Sequence, residues 1–177
     1  MNAFRRALTA FLLAGLLVAA PVAAAPPERV LVFTKTAKFR HDAIPVAVTT
    51  LQRLVVDEGM AADHTEDARV FTPGNLARYR VVVFASTTGD VLEDAQQAAL
   101  EAFVRKGGGF IGVHAAADTE YDWPWYGQLV GAYFQNHPPG LQSTQVQPEK
   151  DGKPVGPRWP ITDELYNYRA NPRGQVQ

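Results

Sequence analysis

Short apolar runs that alternate with amphipathic stretches limit the fold of this chain more than any other feature. Residues 30–33, 81–85 and 110–113 are uninterrupted apolar runs, and residues 61–65 give a weaker strand signal. A strand of a parallel sheet is buried on both faces, so its hydrophobicity is continuous rather than alternating. The runs therefore predict parallel strands, which need long crossover connections between them.

Two amphipathic helices supply these connections. In the first, apolar residues recur at the spacing of one helical face, namely Ile44, Ala47, Val48, Leu51, Leu54 and Val55. The second is predicted to begin near Leu92 and to end at Gly107, with a similar apolar stripe. Alternation of strands and helices predicts an α/β fold, a doubly wound sheet with right-handed crossovers and helices on both faces.

The first 24 residues have the pattern of a secretory signal peptide. Arg5 and Arg6 precede an apolar run over residues 7–20, and small residues follow Pro21. The run is shorter than the roughly 20 residues that a transmembrane helix needs. We expect cleavage after Ala24, which leaves one domain, residues 25–177, in the periplasm or outside the cell and free of the membrane. An uncleaved anchor is the alternative.

Charge and cysteine content limit the structures and functions that are open to this chain. Removal of Arg5 and Arg6 lowers the number of basic residues from 17 to 15, against 18 acidic residues, so the mature net charge is −3. Because no basic face emerges, we expect no nucleic-acid partner. The chain has no cysteine. Disulfide scaffolds and thiol nucleophiles are therefore excluded.

A polar, aromatic segment after residues 110–113 gives the strongest indication of a ligand site. Ligands of open α/β sheets bind outside the carboxyl ends of the strands, and His114 is the first residue beyond this run. Its imidazole is predicted to act as a general base or a metal ligand, or else to fix the loop by hydrogen bonds. His41 follows the first strand on the same side of the sheet, before a helix N-terminus that favours an anion or a sugar hydroxyl.

Three carboxylates, Asp118, Glu120 and Asp122, follow His114 closely. A carboxylate beside an imidazole orients the ring or acts as its acid partner in sugar chemistry. Asp118 is predicted to fold back on the His114 ring as a catalytic residue. Glu120 and Asp122 are predicted to contact substrate, although the solvation of a loop also explains acidic residues.

The remaining predicted substrate-binding residues are aromatic, hydroxyl or imidazole groups of the same region. Trp123 and Tyr126 would stack on a sugar ring, or would pack on the sheet from a helix. Ser86 and Thr87 would hydrogen-bond to ligand hydroxyls, or would form a plain turn. His137 would contact substrate, or would complete a two-histidine divalent-metal site for which no short ligand spacing exists. The cofactor is therefore left open.

Several motifs resemble the ThuA-like family, named for trehalose utilisation. They are RHDAIP after the first strand, the central GGGFIGVHAAADTEYDWPWYGQLVGAYF, the HP that follows it, and WPITDELYNYRANPR. The resemblance runs from about Arg29 to the last residue, and the long central block makes it specific. It implies a class I glutamine amidotransferase-like domain with a flavodoxin-like sheet. In amidotransferases the strand that matches 110–113 leads into an elbow with a catalytic cysteine, where this chain has His114.

The resemblance also sets expectations for function and completeness. ThuA-like domains generally continue beyond the NPR segment, so the domain is expected to be C-terminally incomplete. Their role in sugar metabolism implies a small carbohydrate as partner, either a glycoside or its keto derivative; the oligomeric state is left open. One hypothesis is an enzyme with His114 as base, Asp118 as its orienting partner, and His41 or a metal to stabilise an oxyanion. The alternative is a non-catalytic periplasmic sugar-binding or interaction module, or an inactive fragment.

Overall fold

The computed structural model describes residues 26–151, 153–163 and 167–170. The predicted signal peptide, residues 1–24, and the last seven residues lie outside these ranges. The helices are α1 (Ile44–Asp57), α2 (Pro73–Leu76), α3 (Asp94–Arg105) and α4 (Pro124–Val130), with 3-10 turns at Ala68–Val70 and His114–Asp118. The strands are β1 (Arg29–Phe33), β2 (Ala61–Thr65), β3 (Val81–Ala85), β4 (Gly109–Val113), β5 (Ala132–Asn136), β6 (Gln142–Val146), β7 (Glu149–Lys150), β8 (Lys153–Pro154), β9 (Trp159–Asp163) and β10 (Asn167–Ala170).

Four parallel strands form the central sheet in the order β2-β1-β3-β4. Val30 of β1 pairs with Val81 of β3, and Val81 pairs with Gly109 of β4, so the three strands end nearly level with one another. Their carboxyl ends therefore form one continuous edge, at which the loops after β1, β3 and β4 meet. We call these loops, residues 34–41, 86–90 and 114–120, the rim.

The larger part of the core lies on one face of the sheet. Leu31 and Phe33 of β1 and Val82 and Phe84 of β3 pack there against apolar residues of α2, α3 and α4, namely Leu76, Ala99, Leu100 and Tyr126. Phe84 also contacts the rings of Phe33 and Phe71. Because alternate residues of a strand point to opposite faces, the other half of each strand must be covered separately.

Helix α1 covers the opposite face. Val30 and Val32 of β1 and Val83 of β3 pack against its Leu51 and Val55. Pro45 lies in the first turn of α1, where a missing N–H breaks no helical bond. Helices thus cover both faces of a parallel sheet, and the predicted flavodoxin-like α/β class is confirmed.

Helix α3 begins two residues later than the sequence predicts. Glu93 is the N-cap, and a capping box joins its side chain to the Gln96 backbone and the Gln96 side chain to the Glu93 backbone. The box satisfies N–H groups that the first turn leaves without helical partners, which sets the boundary at Asp94.

The region after the sheet consists of antiparallel pairs. They are β5 with β10, β6 with β9, and β7 with β8. The weak edge strand predicted over residues 142–147 is β6, which pairs with β9. In the part of the chain that is described, none of the helices combines the length and the apolar character needed to cross a bilayer.

Candidate functional site

The rim is built by loops that are hydrogen-bonded across the end of β3. The Ala37 amide donates to the Thr88 carbonyl (2.7 Å), and the Thr88 hydroxyl donates to the Phe39 carbonyl (2.7 Å). On the other side, the Gly89 amide donates to the Asp118 carbonyl (2.8 Å). Strands in a sheet are about 4.8 Å apart, so a residue after β1 reaches the end of β4 only by crossing β3. These hydrogen bonds hold the first loop in that crossing.

His41 and His114 meet as a result of this crossing. Their ring centroids are 4.5 Å apart at an interplanar angle of 74°. His114 is exposed and His41 is half-buried, so the pair lies at the surface of the rim. Two imidazoles can accept and donate protons close together near neutral pH. The structure thus brings together two of the three predicted catalytic residues.

His114 and Ser86 both have a left-handed backbone, with φ of 54° at each. They follow the last residues of β4 and β3, and the Ser86 amide donates to the Val113 carbonyl (3.1 Å). Non-glycine residues adopt this conformation at a cost, and such strain concentrates at functional sites. The positive φ of His114 makes a sharp turn directly after β4, which we call the elbow. Ser86 itself is buried.

Asp118, the third predicted catalytic residue, is bonded to a tyrosine that the sequence analysis did not single out. The Tyr121 hydroxyl donates to Asp118 Oδ1 (2.6 Å) and lies 2.9 Å from the Phe134 carbonyl oxygen. The Lys38 ammonium lies 5.0 Å from the centroid of the Tyr121 ring. Asp118 is therefore held in a small polar cluster at the rim. The orienting contact with the His114 ring stays a prediction.

Glu120 is buried and tied to the β3–α3 connection. Its Oε1 accepts from the Val91 and Leu92 amides (2.8 Å each), and its Oε2 accepts from the Gln97 side chain (2.6 Å). Burial raises the pKa of this carboxyl above its ordinary value, while the hydrogen bonds from Val91, Leu92 and Gln97 act in the opposite direction. These contacts do not favour the predicted role in substrate binding, because both carboxylate oxygens already serve the fold.

Thr87 and Tyr126 are also buried. The Thr87 and Thr119 hydroxyl oxygens lie 2.9 Å apart, and the Tyr126 hydroxyl donates to the Ala116 carbonyl (2.7 Å). Burial raises the pKa of Tyr126 well above its ordinary value, so the phenol keeps its proton. A side chain with no exposed surface cannot stack on a sugar, and the helical, core-packing alternative fits Tyr126.

The other predicted substrate-binding residues lie further along the same segment. Trp123 is half-buried, with ring centroids 4.9 Å from Trp125 and 5.9 Å from Tyr126. Asp122 is exposed. His137 is exposed beyond β5, its ring 6.1 Å from that of Phe134 and its Nδ1 2.9 Å from the Pro138 carbonyl oxygen. The imidazole that packs against His114 is that of His41.

The sequence model of a family described as trehalose utilisation, ThuA, matches residues 29–177. This match covers most of the chain. The chain belongs to the ThuA family. No protein of curated function matches it significantly.

Two solved structures support the fold of this ThuA-family chain. A ThuA-like protein from Bacteroides uniformis superposes with a TM-score of 0.64 at 22% identity, covering 86% of this chain and 65% of that one. A ThuA-like protein from Parabacteroides merdae gives 0.59 at 20% identity, covering 85% and 66%. This ThuA-family chain thus spans less than two thirds of either. At these identities the likeness shows the fold.

The side chains at the rim of this ThuA-family chain can be compared with the ligands that a metal ion needs. Within the described ranges, no three His, Asp or Glu side chains group closely enough to hold a metal ion. The His41 and His114 imidazoles are suitable nitrogen ligands, but a zinc or similar ion would need further ligands from substrate or water. Proton transfer by the two imidazoles, in contrast, needs no ligand beyond His41 and His114 themselves.

Sequence reasoning missed three residues of this ThuA-family chain: Lys38 and Phe39 in the rim, and Tyr121 directly after it. Phe39 is 68% exposed, and its ring lies 4.9 Å from that of His41. All three lie within three residues of a predicted catalytic residue, His41 or Asp118. That proximity was the signal that could have found them.

Proposed function

We propose that this ThuA-family protein is exported and acts on a carbohydrate through acid–base chemistry at His41 and His114. The observation that carries the proposal is the contact of the two imidazoles, 4.5 Å between ring centroids, at the carboxyl edge of the sheet. The family description, trehalose utilisation, supports a sugar as the partner. A small ligand at this edge follows the general rule for open α/β sheets.

The reaction that fits this pair is proton transfer next to a sugar carbonyl. His114, exposed at the elbow, removes a proton from the carbon beside the carbonyl, so that a C–H bond breaks and an N–H bond forms. Protonated His41 gives its proton to the carbonyl oxygen, which yields a neutral enediol. Reversal of the two transfers returns the keto sugar, or its epimer if the proton is added to the other face.

Asp118 supports this chemistry as a positioning residue. Its Oδ1 accepts the Tyr121 hydroxyl, which restrains the 3-10 turn that begins at His114. Lys38, over the Tyr121 ring, adds a positive charge to the same side of the rim. A cation near a developing enolate oxygen stabilises it.

Hydrogen exchange into a keto sugar tests the chemistry directly. The protein is incubated in D₂O with trehalose and with its singly oxidised keto derivative, and deuterium at the carbon beside the carbonyl is followed by NMR. We expect exchange with the keto sugar only. His114→Ala should reduce the rate at least 100-fold, because general base catalysis contributes about 10²–10⁴-fold.

His64→Ala is the matched control. His64 is an exposed histidine on β2, the edge strand opposite β4, so its loss should leave the exchange rate unchanged. Equal rates for wild type and His114→Ala would refute the mechanism. Tight binding of sugar without exchange by the wild type would instead identify a binding module.

Export rests on the pattern of residues 1–24 and is tested separately. The full chain is produced in a Gram-negative host, and the periplasmic and cytosolic fractions are compared by N-terminal sequencing. We expect a periplasmic protein that begins at Ala25. A product that retains Met1 would contradict this part of the proposal.

A further inference from the structure

Phe39 is exposed at a position where an exposed aromatic ring is unusual. Several large apolar side chains are exposed in the described part of the chain. Phe39 is the aromatic one among them, and 68% of its surface is exposed. The tyrosine rings that follow the His114 turn are packed instead: Tyr121 stacks on Tyr133 (4.9 Å), and Tyr126 of α4 is in the core. Single exposed apolar residues are common on protein surfaces. Exposure alone therefore does not distinguish Phe39.

The position and the anchoring of Phe39 do distinguish it. Its ring contacts His41 edge-on, with centroids 4.9 Å apart and planes at 87°, and His41 in turn contacts His114. Its carbonyl accepts the Thr88 hydroxyl (2.7 Å), which fixes the backbone although the side chain is open to solvent. A fixed backbone that presents an aromatic ring next to two imidazoles is preorganised for a ligand, because little ordering remains on binding.

We infer that Phe39 binds the apolar face of a sugar ring at the rim, next to His41 and His114. This inference rests on the proposed function. A phenyl ring has no hydrogen-bonding group, so its main contact with a sugar is apolar, through the C–H face. That face is most apolar in a pyranose with equatorial hydroxyls. The ring therefore selects gluco-configured sugars and disfavours those with an axial hydroxyl on the stacked face.

Binding and exchange are measured for wild type, Phe39→Ala, Phe39→Leu and Phe39→Tyr, by calorimetry and by the D₂O assay with the singly oxidised keto derivative of trehalose. Aromatic contacts contribute to affinity beyond the apolar area that they bury. We expect Kd and KM to rise about 5- to 20-fold in Phe39→Ala and nearly as much in Phe39→Leu. Phe39→Tyr should stay within about twofold of wild type, and kcat should change little in all three.

Leu141→Ala is the matched control, because Leu141 is equally exposed, at 68%, but lies outside the rim. It should leave Kd and KM unchanged, and all variants should keep the wild-type melting temperature. Wild-type affinity in both Phe39→Ala and Phe39→Leu would overturn the inference while leaving the proposed function intact. If wild type neither binds nor exchanges the keto sugar, the proposed function fails and the inference fails with it.

Discussion

At the scale of single residues, His114 combines an exposed imidazole with a backbone that its residue type disfavours. The left-handed conformation costs a non-glycine residue about 1–2 kcal/mol. Glycine would adopt the same φ without this cost. His114 holds its ring against that of His41 in this conformation.

We therefore predict that His114→Gly and His114→Ala both lose exchange activity but differ in stability. Glycine relieves the strained φ of 54°, so His114→Gly should be more stable than His114→Ala by about 0.5–1 kcal/mol. Urea unfolding at constant pH measures the difference. If alanine were equal to or better than glycine at this position, the strain argument would be wrong.

Glu120 is the opposite case: the sequence predicts a substrate contact, whereas the structure buries the carboxylate in hydrogen bonds to the β3–α3 connection. Glu120→Ala leaves the Val91 and Leu92 amides buried without their acceptor. We expect a loss of about 2–5 kcal/mol in the free energy of unfolding, since each unsatisfied donor costs about 1–3 kcal/mol. Chemical denaturation checks this. A loss below 1 kcal/mol would contradict the assigned role.

The raised pKa of Glu120 also has a defined consequence for pH dependence. Because the folded pKa lies above the unfolded one, its contribution to stability is fully present below the unfolded pKa and is lost as pH rises through the folded pKa. The amide introduced by Glu120→Gln cannot ionise, so the stability of this variant should not fall as pH rises through the folded pKa of Glu120. Unfolding free energies of both proteins from pH 4 to pH 8 give the comparison, and identical slopes would exclude the effect.

At the scale of elements, the packing of α4 on β5 fixes the segment that follows the rim. The Tyr133 hydroxyl of β5 lies 3.0 Å from the Glu120 carbonyl oxygen and 3.1 Å from that of Trp123. Gly127 of α4 leaves room for this ring: a Cβ there would lie 2.6 Å from Tyr133 Cε2. The close contact of α4 with β5 therefore depends on the absence of a side chain at Gly127.

Gly127→Ala should accordingly destabilise the protein, although alanine is the better helix former. Relief of the clash requires movement of a buried tyrosine, and overpacking costs about 1–3 kcal/mol. Gly74→Ala in α2 is a matched control, since a Cβ at Gly74 meets no atom within 4 Å. Thermal unfolding should show a lower Tm for Gly127→Ala and no loss for Gly74→Ala. Equal Tm values would contradict the packing argument.

At the scale of the whole molecule, we expect charged pairs to make the stability of the fold depend on acid pH. Hydrogen bonds from Arg69 lower the pKa of Asp67 to about 2, and Arg29 and Arg40 lower the pKa values of Asp63 and Glu66. A depressed folded pKa contributes stability above the unfolded pKa, and this contribution is lost as pH falls through the folded pKa.

We predict a decline in stability from about pH 4 to pH 2, to which Asp67 contributes. Asp67→Asn cannot titrate, so its stability should fall less steeply over this window. Arg69→Gln, which removes the main cause of the shift, should flatten the curve in the same way. Urea midpoints at pH 5, 4, 3 and 2 provide the measurement. A wild-type slope in both variants would show that the pair does not contribute.

The sequence by itself determined the α/β class, the parallel strands β1, β3 and β4, and the edge at which His41 and His114 emerge. These features follow from local hydrophobic periodicity and from the shared direction of parallel strands, which a linear pattern records. The family could also be recognised from the sequence, because each ThuA motif is a contiguous segment of the chain. A resemblance of this kind needs no knowledge of long-range contacts.

Only the tertiary structure decided which polar and aromatic residues are buried in the core and which lie at the surface of the rim. Glu120 and Tyr126 are buried because distant segments, the β3–α3 connection and the sheet face, close over them. His41 reaches His114 because Thr88 holds a loop 49 residues away in sequence across the end of β3. Long-range hydrogen bonds and left-handed turns leave no periodic signal in a sequence, because they depend on residues that are neighbours only after folding.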